Sequence, residues 1–200
     1  MSASAVLQFD AERHEYRLAG RLVPSVTQVI RAVLPGWEAS EWHMQRGTAL
    51  HHGCRLLDQG VLDWQSVSPE IGPRIQAWQK FRKDSMVDVV SVETPLFSER
   101  YWFAGTCDRM LARGIASGIV CDLKSTIEPQ VRVQLGGYSI LWAARGAKPH
   151  AAVAVELRAD GTYRCLWLDA AELRIAEQTF LAALTIHNFQ INHKLTKGKA

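Results

Sequence analysis

Three apolar-leaning segments between residues 87 and 125 limit the folds open to this chain. Val87 to Phe97, Trp102 to Leu111 and Ile115 to Ser125 read as strands, separated by the short turns Ser98-Glu99-Arg100 and Ala112-Arg113-Gly114. Turns that short join antiparallel neighbours, so consecutive strands lie side by side. The third strand contains IVCDLKST, residues 119–126. Strand side chains alternate between two faces, so Asp122 and Lys124 point the same way from an otherwise apolar strand. Charges are seldom buried unless they are paired or hold a metal.

The segments around this block set the fold class. Residues 6–23, VLQFDAERHEYRLAGRLV, read as a small hairpin with a turn at Gly20. Ser25 is a natural N-cap for a helix in which Val26, Val29, Ile30 and Val33 recur at helical spacing, and Pro35-Gly36 ends it. Two more helices are expected over 40–59 and 69–84. After the strands come a helix over 130–145, strands His150–Leu157 and Tyr163–Leu168 joined by a hairpin at Asp160-Gly161, and a closing helix from Ala170 to His187. This order predicts one mixed α/β domain, with a central sheet and helices on both faces. Residues 1–86 form its N-terminal hairpin and helices, 87–188 its core, and 189–200 a loose basic tail.

Composition removes several alternatives. Cys54, Cys107, Cys121 and Cys165 never form CxxC, which argues against a zinc ribbon or a local iron–sulfur site. They read as reduced thiols of a cytoplasmic protein. The first residues show no basic stretch followed by an apolar one, so no signal peptide is expected. No apolar run approaches the roughly 20 residues that span a membrane. The net charge of +3 permits nucleic acid as a partner without arguing for it.

Asp108, in GTCDR, precedes Asp122 by fourteen residues, a spacing that places the two side by side across an antiparallel turn. Two carboxylates and a lysine then share one face of the sheet. Neighbouring carboxylates raise the cost of ionising each other, unless a cation neutralises them. Magnesium or manganese, which take oxygen ligands, would do so. His51, five residues after Arg46 in RGTALHHG, can join them, whereas His52 points about 100° away on a helix.

The ordered set RGTALH, VETPL, AGTCDR, VCDLKST and QLGGY resembles the RecB-like branch of the PD-(D/E)XK nuclease superfamily. The N-terminal PSVTQVI is similar to a segment of its phage-encoded members and of the mitochondrial genome maintenance exonuclease. The resemblance runs from about residue 9 to 142 and implies a restriction-endonuclease-like core. It implies that Asp108 and Asp122 are catalytic metal ligands and that Lys124 is the motif lysine. It further implies that the Leu123 carbonyl and His51 complete the metal shell, that Gln134 and Tyr138 form a helix motif beside the site, and that Glu93 supports it. The cysteine cluster of some RecB-like relatives is missing, so no iron–sulfur cluster is expected.

The function this implies is a Mg2+- or Mn2+-dependent deoxyribonuclease acting on DNA ends or single strands, with recombination or repair proteins as possible partners. A structure-specific or nicking endonuclease, and a non-catalytic DNA-binding accessory module, are the alternatives. A small-molecule α/β enzyme lacks support, because there is no glycine-rich phosphate loop or nucleophile elbow. Plainer roles stand beside the functional ones. Asp122 and Lys124 alone could be a surface ion pair, His51 a solvated helix residue, and Glu93 an edge charge. Ser25 and Thr27 are capping residues that could contact a phosphate, and Arg46 could bind one. Arg74, Lys80, Arg82 and Lys83 could be a solvated face or a DNA groove. Trp37, Trp42 and Trp102 could stack on bases or pack in the core.

Overall fold

The computed structural model describes residues 6–10, 13, 15–35 and 41–195, without the side chains of 41–46. Residues 6–23 contain the expected hairpin with its turn at Gly20, and one further strand beside it. They form three short antiparallel strands, β1 (Leu7–Asp10), β2 (Glu15–Leu18) and β3 (Arg21–Val23). Tyr16, Leu18 and Val23 pack there against Ala104, and the Tyr16 hydroxyl meets Thr106 Oγ1 at 2.7 Å.

Helix α1 (Val26–Val33) starts with a capping box. Ser25 Oγ accepts from the Gln28 N–H, and Gln28 Oε1 accepts from the Ser25 N–H, which satisfies two otherwise unpaired donors. Helices α2 (Glu41–Asp58) and α3 (Gly72–Ser85) follow, with a short 3-10 turn at Trp64–Ser66 between them. The main sheet contains β4 (Asp88–Ser98), β5 (Phe103–Arg113), β6 (Ala116–Lys124), β7 (Ala151–Leu157) and β8 (Tyr163–Leu168), in that spatial order. All neighbours are antiparallel except β6 and β7. A parallel pair needs a crossover, and α4 (Val131–Ala144) supplies it. Helix α5 (Ala170–Asn192), capped by Asp169 and Glu172, closes the chain. It continues past His187 into the stretch read as a loose tail, because Phe189 to Asn192 contain no helix breaker.

The sheet is covered on both faces, as the alternation of β6 requires. Ile119, Cys121 and Leu123 face the core under α2 and α3, with Leu50, Ile75, Trp78 and Phe81. Val120 belongs to the other core, with residues of α1, α4 and α5. Asp122 and Lys124 follow Val120 at alternate positions and so belong to that second face.

Helices α4 and α5 touch closely at Gly136 and Gly137. A Cβ on Gly136 would lie 2.3 Å from the Ala176 backbone carbon, and one on Gly137 would lie 2.9 Å from the Phe180 ring. Backbone cannot yield as a side-chain tip can, so Gly136→Ala is expected to destabilise the fold by about 1–3 kcal/mol, as overpacked cores do. Its thermal midpoint should fall well below that of wild type. An unchanged midpoint would contradict the close helix contact.

The basic stretch on α3 is not a free groove. Arg74 is buried and donates to the Leu157 carbonyl, Arg82 pairs with Asp58, and Lys80 pairs with Asp84. Among the described residues no helix is long and apolar enough to cross a membrane.

Candidate active site

The β5–β6 ladder ends at the pair Arg109–Cys121. The next positions in that register are Asp108 and Asp122, and there the strands stop exchanging backbone hydrogen bonds. The Leu123 N–H donates instead to Asp108 Oδ2, at 2.8 Å. On the other side of β5, Val92 pairs with Arg109 and Thr94 with Cys107, which places Glu93 opposite Asp108. Glu93, Asp108 and Asp122 thus form one row across three strands.

Each carboxylate of the row has its own cation. Asp108 Oδ1 lies 3.3 Å from His51 Nδ1, and Asp122 Oδ2 lies 2.7 Å from Lys124 Nζ. Glu93 Oε2 lies 3.4 Å from an Arg55 nitrogen, and Arg55 also donates to His52 Nδ1 at 2.8 Å. Glu93 adopts φ 43°, a left-handed conformation within a strand. Such strain costs of order 1–3 kcal/mol and collects where surroundings force a side chain into place.

The two aspartates titrate as an unlike pair. Burial and the Asp108 charge push the Asp122 carboxyl up to about 6, against the pull of Lys124. Burial would also raise Asp108, but His51, Lys124 and the Leu123 N–H outweigh it and hold the group below the usual carboxylate range. Burial would lower His51, but the Asp108 charge prevails and raises it. Two carboxyls driven apart in this way mark a site able to carry an anion and bind a proton or cation beside it.

Helix α4 closes the site from above. The Gln134 amide donates to the Tyr138 hydroxyl at 3.1 Å, one helical turn along. Burial, with the charges of Asp122 and Asp108, pushes the Tyr138 hydroxyl up. Gly105 admits the Tyr138 ring, since a Cβ there would lie 3.1 Å from Tyr138 Cε1.

Other expected positions fall elsewhere. The Ser25 hydroxyl serves the α1 cap and meets Thr27 Oγ1 at 3.1 Å. Ser25 bridges to Ala104, four residues from Asp108 and so about 13 Å along the strand. Trp102 is exposed at the β4–β5 turn. Trp37 and the side chains of Arg46 and Trp42 lie outside the described residues.

Sequence reasoning missed the support beneath the site. Asp58, Arg109 and Arg82 form a buried cluster, with Arg109 Nε 2.6 Å and an Arg82 nitrogen 2.9 Å from the Asp58 carboxylate. The Trp78 indole also donates to Asp58, at 2.8 Å. Arg109 also donates to the Asp108 carbonyl at 2.7 Å, and its pair with Asp58 ties α2 to the strand carrying Asp108. The signal was in the sequence: His51, Cys54 and Asp58 follow helical spacing, so one face of α2 carries both the site histidine and the anchor.

The donor set suits a small divalent cation. Asp122 Oδ2 is buried, with Lys124 Nζ 2.7 Å away. Among the described residues no three His, Cys, Asp or Glu side chains stand together as a group that could hold a metal ion; His51 and Lys124 are the partners of the two aspartates. A hollow of about 880 Å³ lies elsewhere, between the β4–β5 turn, α4 and α5, and holds none of these residues. Charge chemistry, not size, marks the site.

No family model and no curated protein matches the chain. Among solved structures it is similar to an alkaline exonuclease, LHK-Exo, from Laribacter hongkongensis, at TM-score 0.41 and 12% identity over 86% of this chain and 93% of that one. The same enzyme in complex with dAMP gives TM-score 0.40 and 14% identity over 88% and 94%. Likeness at this level carries nothing about activity.

Proposed function

We propose that this chain is a metal-dependent deoxyribonuclease that hydrolyses phosphodiester bonds from DNA ends, single strands included. The observation that supports this best is the row of Asp108 and Asp122 at the point where β5 and β6 part, with Lys124 at 2.7 Å from Asp122. Two buried carboxylates side by side repel each other even with a basic partner each, and a divalent cation shared between them would neutralise both.

On this proposal Asp108 and Asp122 hold Mg2+ or Mn2+, with the Leu123 carbonyl and His51 completing the set. Held there, such a cation would supply Lewis acidity toward a phosphate oxygen and lower the pKa of a water. Lys124, released from Asp122, orients the attacking water and meets the negative charge that develops on phosphorus. Tyr138 and Gln134 fix the wall of the site beside Asp122, and Glu93, held by Arg55, keeps the β4 side in register.

The test compares end-labelled linear and closed circular single-stranded DNA, with Mg2+ or Mn2+ and with chelator. Loss of the linear strand alone, blocked by chelator, is the expected result. Loss of both would make the chain an endonuclease with the same chemistry. Loss of neither would leave a DNA-binding module at most.

A further inference from the structure

A strand presented to Asp122 must continue past it, and the sheet carries a second charged row beside the first. Lys124 pairs in register with Glu156 on β7, and Glu156 with Arg164 on β8. Register partners share a face, so Lys124, Glu156 and Arg164 lie in one line leading away from the carboxylates.

Glu156 organises this line. Its Oε2 accepts from Arg164 at 2.7 Å and from the Ile127 N–H at 3.2 Å, and its Oε1 accepts from Arg158 at 3.0 Å. One carboxylate therefore fixes both Arg164 and the turn between β6 and α4. An arginine has five N–H donors, so Arg164 keeps donors beyond those on Glu156. Next to it is a hollow of about 330 Å³, lined by Ile127, Pro129, Arg132, Arg164 and Leu166 among others. Arg132 lies 3.5 Å from Glu172, and both are about half exposed. A pair so exposed holds weakly and can yield to a stronger anion.

The geometry points to a subsite for the nucleotide that flanks the scissile phosphate, with its own phosphate between Arg164 and Arg132 and its base against Ile127, Pro129 and Leu166. The hollow is at the small end of ligand sites, which suits one nucleotide of a single strand and not a duplex. Two guanidiniums match phosphate oxygens, and the apolar wall takes any base, so the subsite favours no sequence. It rests on the nuclease reading and adds where the strand runs.

Binding of a labelled single-stranded oligonucleotide in chelator, across a salt series, tests this, together with KM and kcat in Mn2+. Arg132→Gln with Arg164→Gln should weaken binding about ten- to a hundredfold. The log–log salt slope should become shallower by about 1.4, the value for two lost contacts to a single strand. KM should rise far more than kcat falls. Arg164→Lys keeps the charge near Glu156 and loses the fork geometry, so it should fall between the two and guard against a folding defect. Unchanged affinity and KM in variants of an active wild type would overturn the subsite and leave the nuclease standing. A wild type that neither binds nor cuts DNA would overturn both.

Discussion

Asp122→Asn is expected to abolish cleavage and, in the absence of metal, to make the protein more stable at pH 8. The first effect should reach about a thousandfold or more, as for loss of a group that acts directly on the reacting centre. The second follows from linkage. Asp122 titrates near 6 in the fold against an ordinary value of 3.8, so the fold prefers its protonated form. The resulting stability is complete below the ordinary value and is lost as pH rises through 6. At pH 8 the ionised carboxylate therefore costs about 1–3 kcal/mol, and asparagine removes that cost. Thermal melts in chelator should show the variant above wild type at pH 8 and the difference closing near pH 4. A variant less stable than wild type at pH 8 would mean that Lys124 already compensates the charge.

Asp58→Ala is expected to have the opposite effect, and a larger one. Asp58 and Arg109 have fully buried side chains, and Arg82 and Trp78 complete the cluster. Removal of the carboxylate leaves the Arg109 guanidinium in the core without its counter-charge. Broken buried pairs of this kind cost about 3–5 kcal/mol. The midpoint should fall by roughly 10 °C for a domain of this size. Denaturant unfolding of Asp58→Ala, Arg109→Met and the double variant gives the measurement. The double variant should recover much of the loss, since the fully buried guanidinium is gone and Arg82, the other partner of Asp58, is partly exposed. Equal losses in the double and single variants would mean that packing, not charge, holds α2 against β5.

Much of the fold was legible because its signals are local. Strand periodicity, the Asp160-Gly161 turn and the Ser25 cap each act within a few residues, and β8 starts and ends where its sequence pattern does. The N-terminal hairpin at Gly20 was legible too, but not its third strand, β1, which is only four residues long. The closeness of Asp108 and Asp122 was legible from one turn length. The anchoring of the site was not. Arg109 reads as one more charged residue beside Asp108, and Asp58 sits 51 residues earlier; only folding brings them to 2.6 Å. The partners of Arg74 and Arg82 on α3 were hidden for the same reason, since both lie on other elements.

The account stands on a divalent cation held by Asp108 and Asp122, and calorimetric titration of Mn2+ into the metal-free protein addresses it most directly. Wild type should bind, with affinity that falls as pH drops below about 6 because the proton on Asp122 competes. Asp108→Asn and Asp122→Asn should each remove that binding while the fold persists. Undiminished Mn2+ binding by the Asp122→Asn protein would contradict the account.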